Sequence, residues 1–355
     1  MLLIHTADIH LGSKMDSNLP REKAEERRSE LRATFVNLVN YAKTNSVSAI
    51  LLCGDIFDSD RPFKKDKEFF YSVVKGCPEI EFYYLRGNHD GQESFTEELA
   101  NLKTFSREWQ SHKIGDITIS AVELAGDNAQ SIYSTLRLSP ADKNIVMLHG
   151  TAGDASGRDR INLSKLREKN IDYLALGHIH SHGGFEKIDG RGVYAYSGCL
   201  EGRGFDEAGE KGFILLDIGE KITPKFLPFA KRKIDILKVD ISAATDDYAA
   251  YKIVESALDL PKGDVVRVEL CGEIGFDNAD LAREIEKRLQ GAGYYYICVK
   301  DRTVRRFDLE KLSTDLSLSG EFIRTVLASA EVAEEDKAKV ISAGLKALAG
   351  REVDI

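Results

Sequence analysis

Aspartate, asparagine and histidine recur in this chain at the ends of short apolar runs. Leu2-Leu3-Ile4 leads to Asp8-Ile9-His10, and Ala49-Ile50-Leu51-Leu52-Cys53 leads to Gly54-Asp55. Phe82-Tyr83-Tyr84-Leu85 leads to Gly87-Asn88-His89-Asp90. Ile145-Val146-Met147-Leu148 leads to His149-Gly150, and Tyr173-Leu174-Ala175-Leu176 leads to Gly177-His178-Ile179-His180. Such oxygen and nitrogen donors suit Mn²⁺, Fe²⁺, Mg²⁺ or Zn²⁺, and the lack of cysteine among them disfavours a thiolate zinc site. An isolated Asp-x-His or Gly-His carries little weight. Gly-Asn-His-Asp after an apolar run is more specific, because glycine permits a tight turn and three polar residues have no place in a core. Asp8, His10, Asp55, Asn88, His149, His178 and His180 are too many donors for one ion. They suit two ions about 3.5–4 Å apart, bridged by a carboxylate. Such a pair activates a water and neutralises phosphoryl oxygens during in-line displacement. His89, beside Asn88, is left to protonate the leaving oxygen or to stabilise the transition state.

Something must bring these donors together. Short apolar runs bounded by turn residues read as buried strands, and in layered α/β proteins the strand C-termini share one ligand-binding edge. Between the runs, 24–43 reads as a helix with Leu31, Phe35, Leu38, Val39 and Ala42 on one face, and Asp60-Arg61-Pro62 starts another. The first half is therefore βαβαβ in character. After Gly115, short strands at 117–119, 192–196 and 212–216 predict a second, partly antiparallel sheet packed on the first. The stretch 158–169 reads as a loop and short helix. Pro224, Pro228 and Lys231-Arg232-Lys233 mark a linker. Beyond it the pattern is strand (234–239), helix (246–258), strand (265–270), helix (Asn278 to Leu289) and strand (294–299), followed from 318 by two helical pieces running to the end. The expected domains are 1–230, 231–303 and 304–355.

The bulk properties narrow the class. A chain of 355 residues is long for one core, so more than one domain is expected. No run of about 18 apolar residues exists, so no membrane span is expected. The start, Met1-Leu2-Leu3-Ile4-His5, lacks the marks of a signal peptide. Five scattered cysteines without CxxC spacing predict reduced thiols and a cytoplasmic protein. The net charge of −9 argues against a generic basic nucleic-acid binder. It does not argue against a nuclease, since bound divalent cations reverse the local sign.

The motifs resemble, in order, the signature of the calcineurin-like metallophosphoesterases. Their wider context is similar to the SbcD-type DNA repair exonucleases: His5-Thr6-Ala7-Asp8-Ile9-His10-Leu11-Gly12, Leu176-Gly177-His178-Ile179-His180, Tyr196-Ser197-Gly198 and Gly204-Phe205-Asp206-Glu207 with Gly209-Glu210-Lys211-Gly212-Phe213. The resemblance is strong over about 1–225 and looser through the following α/β unit. It implies a four-layer α/β/β/α sandwich with a small α/β capping domain and a helical C-terminal tail. It implies one metal on Asp8, His10, Asp55 and His180, a second on Asp55, Asn88, His149 and His178, and His89 as the catalytic histidine. It further implies Mn²⁺ as the preferred ion, DNA as substrate, a homodimer, and an SMC-like ABC ATPase (SbcC-type) docking on the tail helices at 318–350. Two positions depart from the pattern: Asp58 stands where many of these nucleases have His, and Ser197 where many have Pro.

Other polar residues have plainer readings. His5 is expected to be structural, and His112 and His182 solvated. Arg203, in Glu201-Gly202-Arg203-Gly204-Phe205, is a candidate phosphate contact or a simple turn residue, as is Arg86. Arg27-Arg28 and Lys64-Lys65 read as helix surface. The alternative substrates for the same core are nucleotides, cyclic nucleotides or another phosphoester.

Overall fold

A computed structural model describes residues 1–15, 19–91, 94, 97–276, 279–305 and 316–348. The chain divides into two compact units, Met1–Ile234 and Asp235–Ile355. Among the described residues the first holds two six-stranded sheets and a small two-stranded one (Thr151–Gly153 with Arg160–Asn162). Five strands carry the candidate ligands: β1 (Leu2–Thr6), β2 (Val47–Cys53), β3 (Glu81–Leu85), β4 (Lys143–His149) and β5 (Tyr173–Gly177). In the first sheet β1, β2 and β3 are parallel neighbours. In the second β4 and β5 are parallel neighbours, with Gly177 opposite His149.

Alternation of side chains along the strands separates two apolar layers. Leu3, Ala49, Leu51, Tyr83, Ile145, Met147, Tyr173 and Ala175 fill the layer between the sheets. Ile4, Ile50, Leu52, Phe82 and Tyr84 face the other way, towards two helices, α1 (Arg21–Thr44) and α2 (Lys64–Lys75). The buried positions of α1 are Ala24, Arg27, Leu31, Thr34, Phe35, Leu38, Val39 and Ala42, one helical stripe. Outside the second sheet, a short helix (Ile132–Thr135) and a 3-10 turn (Leu163–Leu166) cover Val146, Leu148, Leu174 and Leu176. The result is a four-layer α/β/β/α sandwich.

Some expectations shift. The strand Gly212–Ile218, expected in the second sheet, pairs antiparallel with β1 in the first. Both its faces are buried, Phe213 on the helix side and Ile214 and Leu216 between the sheets, which only a place beside a central strand allows. The helix after Pro62 begins at Lys64. Arg27 is not helix surface but is 1% exposed, bonded to Glu201 and to the Gly202 carbonyl at 2.9 Å each. His112 is half-buried against Tyr83 and Phe105, and His182 stacks on Phe226 at 4.4 Å, so neither is merely solvated.

In the second unit a three-stranded sheet (Ile234–Asp240, Val265–Cys271, Tyr296–Asp301) packs with helices Asp247–Ala257 and Leu281–Gln290 around Val254, Val266, Val268, Leu270 and Ile285. The expected helix start at Asn278 lies outside the described residues. Helices Leu318–Ala328 and Glu334–Leu348 meet through Phe322, Ile323, Val326, Ile341 and Leu345. Residues 349–355 lie outside the described residues. No described helix is long and apolar enough to cross a membrane.

Candidate metal centre

Parallel pairing puts the C-terminal ends of β1, β2 and β3 at one edge of the first sheet, and those of β4 and β5 at one edge of the second. The ladder continues past the strands: Asp8 N donates to the Gly54 carbonyl at 2.9 Å, and His10 N to the Asp55 carbonyl at 3.0 Å. Asp90 ties the β2 and β3 turns together by accepting from the main-chain N–H groups of Ile56, Phe57 and Gly87 at 3.3, 2.9 and 3.1 Å. Aiming the donors requires left-handed backbone. Asp8, His10 and Asp55 have φ of 51, 52 and 51°, and His178 has φ of 104°. Such conformations cost of order 1–3 kcal/mol each and cluster at functional sites. Two glycines allow the close packing of the turns. A Cβ on Gly87 would lie 2.2 Å from Asp55 Oδ1, and one on Gly177 would lie 1.9 Å from the Cys53 carbonyl oxygen.

The seven expected ligands come together in two groups. Asp8, His10 and His180 form one, and Asp55, His149 and His178 the other, with the donor atoms of each group within 4.8 Å of one another. Asn88 joins the second group: its Oδ1 is 2.9 Å from His149 Nε2 and 3.0 Å from His178 Nδ1. Asp55 Oδ2 stands between them, 3.4 Å from His149 Nε2 and 3.9 Å from His10 Nε2. His178 N donates to both Asp8 carboxylate oxygens at 3.0 Å, which locks the second sheet's turn to the first.

The electrostatics follow from burial and from this pairing. Burial alone would raise Asp55, but the hydrogen bond and charge of His149 hold it well below the usual carboxylate range. Burial would lower His149, yet Asp55 and Asp8 push it up to about 9. Burial raises Asp8 against the pull of His149. It lowers His10 against the pull of Asp58, and lowers His178 with help from the His149 charge.

The donor set fits divalent cations. His180 Nδ1 lies 2.7 Å from Glu207 Oε1, so that nitrogen carries the proton and Nε2 the lone pair. His10 Nδ1 faces Asp58 Oδ1 at 3.1 Å, off the straight N–H direction. With the His10 proton on that side, two bare Nε2 atoms confront each other at 3.3 Å, an arrangement that a cation relieves. In the second group His149 Nδ1 donates to the Cys53 carbonyl at 2.9 Å, turning Nε2 towards Asn88 and Asp55. The backing of the first group by Asp58 and Glu207 was not legible in the sequence.

The remaining expected residues are placed as follows. His89 is exposed on the same turn, its N–H donating to Asp55 Oδ1 at 2.8 Å and its ring centroid 5.1 Å from that of His10. Arg203 donates from its guanidinium to Asp58 and Glu207. Arg86 forms a two-pronged pair with Glu123, both bonds 2.6 Å. His5 is buried: Nε2 donates to the Leu176 carbonyl at 3.2 Å and Nδ1 accepts from the Tyr173 hydroxyl at 2.8 Å.

The sandwich thus sets candidate metal ligands at the strand ends of both sheets. Residues 1–182 match the model of the calcineurin-like phosphoesterase family, and the chain belongs to that family. Among relatives, it is 29% identical to the DNA double-strand break repair protein Mre11 of Sulfurisphaera tokodaii, over 62% of this chain and 60% of that one. It is 24% identical to the Mre11 protein of Sulfolobus acidocaldarius, over 77% and 76% respectively. With the SbcD component of the nuclease SbcCD of Escherichia coli the identity is 25%, over 61% of this chain and 64% of the relative. The first of these matches thus spans less than two thirds of the relative's length. The family uses two divalent metals, and the chain carries two candidate ligand groups.

Proposed function

We propose that this chain is a two-metal phosphodiesterase that cleaves DNA. The observation that carries the reading is the position of Asp55, a buried carboxylate within reach of histidines from both donor groups. One ion would sit on Asp8, His10, Asp55 and His180, the other on Asp55, Asn88, His149 and His178. When bound, the ions supply an activated water and neutralise the phosphoryl charge. The protein's own residues do the rest. Asp55, fixed by the His89 N–H, orients the attack. As water forms a new P–O bond and releases a proton, the opposite P–O bond breaks and the exposed His89 gives a proton to the leaving oxygen, so that no net proton is lost from the side chain once the released one is taken back. Mn²⁺ is the proposed ion, and the relatives' names, a DNA double-strand break repair protein and a subunit of a nuclease, support DNA as substrate and repair of broken ends. A cytoplasmic location and an SMC-like ABC ATPase partner are proposed on the sequence resemblance. The tail helices Leu318–Ala328 and Glu334–Leu348 are the proposed docking element, and a homodimer the proposed assembly.

A second reading has its own observation. A cleft of about 520 Å³ opens beside Asn88 and His149, with room for one nucleotide; Arg158 borders it together with Asp159 and the ion pairs Arg86–Glu123 and Arg107–Asp127. End-labelled duplex and hairpin DNA, digested by the Mn²⁺-loaded protein with and without the ATPase, separates the two. Metal-dependent shortening is expected. Turnover of bis-p-nitrophenyl phosphate or nucleotides with intact DNA in every lane would assign the small-molecule reading.

A further inference from the structure

Behind the two histidines of the first donor group stand two carboxylates, and one arginine joins them. Asp58 Oδ1 faces His10 Nδ1, and Glu207 Oε1 faces His180 Nδ1, at 3.1 and 2.7 Å. Arg203 Nη1 donates to Asp58 Oδ1 at 2.9 Å. Its Nε and Nη2 donate to Glu207 Oε1 at 3.0 and 2.7 Å, and its main-chain N–H to Glu207 Oε2 at 2.8 Å. All three guanidinium nitrogens are thus committed, and the side chain is only 19% exposed.

The second donor group is backed differently. His149 leans on a main-chain carbonyl, Cys53 O, which needs no counter-charge. The first group leans on two anions that need one. Outer carboxylates fix the tautomer and ring orientation of a metal-binding histidine, and their loss costs roughly 10- to 100-fold in affinity.

We propose that Arg203 is a positioning residue which, through Asp58 and Glu207, holds His10 and His180 as Nε2 donors and so sets metal affinity at the first donor group alone. The inference rests on the two-metal reading, but its test does not depend on any substrate. Metal-free wild type, Arg203→Gln, Arg203→Lys and Asp58→Asn proteins are titrated with Mn²⁺ by calorimetry. Imidazole ¹⁵N shifts report the tautomers of His10 and His180 in the same metal-free samples. Arg203→Gln is expected to weaken one Mn²⁺ site by roughly 10- to 100-fold, to leave the other within about twofold, and to mix the His180 tautomers. Arg203→Lys keeps the charge but loses the fork, so it falls between. Asp58→Asn, at a side chain 31% exposed, perturbs the same site and still tests the idea if the Arg203 variants do not fold. Two unchanged sites, or two sites weakened equally along with the melting temperature, would overturn the proposal. So would unchanged metal affinity with a raised KM, which would make Arg203 a substrate contact. A wild type that binds no Mn²⁺ pair would remove the two-metal reading itself, and this inference with it.

Discussion

Asp55 and His89 sit on adjoining turns yet are expected to fail differently. His89→Gln keeps the N–H that binds Asp55 Oδ1 and loses only the ring, so kcat should fall by about 10²- to 10⁴-fold with Mn²⁺ binding intact. Unchanged turnover would remove His89 from the reaction. Asp55→Asn takes charge from both donor groups, so calorimetry should show both ions weakened, along with a larger loss of rate. His5 gives a pH prediction. Burial holds it down to about 3 from 6.5, so the folded protein keeps it neutral while the unfolded chain takes up a proton across that interval. Stability is therefore full above pH 6.5 and declines as the pH falls towards 3. Urea midpoints measured from pH 7.5 to 5 should drop more steeply in wild type than in His5→Gln. The ligands were readable because Asp, Asn and His are out of place at the end of apolar runs. Asp58 and Glu207 were not, because they stand among 58 acidic residues and meet their histidines only through the fold.

At the scale of elements, strand and helix periodicities were legible wherever one face or both met the core, as in β1 to β5 and α1. What stayed hidden was pairing. Nothing in the pattern of 212–216 says which sheet it joins, and Arg27 looks like its neighbour Arg28. Its partner Glu201 is 174 positions away and fully enclosed. The two arginines therefore make a matched test. Arg27→Gln leaves a buried carboxylate without its cation and should cost about 3–5 kcal/mol in denaturant unfolding. Arg28→Gln, at a side chain 39% exposed, should cost under about 0.5 kcal/mol. Equal effects would mean the buried network adds nothing. Between the sheets, Gly177→Ala drives a methyl onto the Cys53 carbonyl and should cost about 1–3 kcal/mol, with weaker Mn²⁺ binding at the His149 group.

For the whole molecule, every donor and every group backing a donor falls within Met1–Ile234, which closes its own cores. A fragment of those residues should melt cooperatively, titrate with two Mn²⁺ and hydrolyse bis-p-nitrophenyl phosphate. Loss of metal binding in a folded fragment would show that the rest of the chain completes the centre. The negative overall charge was legible from composition, whereas the asymmetry between the two halves of the centre was not. It arises from which sheet edge meets which loop.

Asp8, His10, Asp55 and Asn88 ride on one sheet, while His149, His178 and His180 ride on the other. Each proposed ion thus draws ligands from both sheets, and the span it must close is a dimension of the hydrocarbon interior, governed by how Leu3, Leu51, Ile145 and Ala175 nest. A bulkier or slimmer side chain there, remote from any phosphate, would draw apart or press together the ligands that meet from the two sheets. Catalytic rate in this scaffold is consequently exposed to drift in its oiliest and least reactive positions.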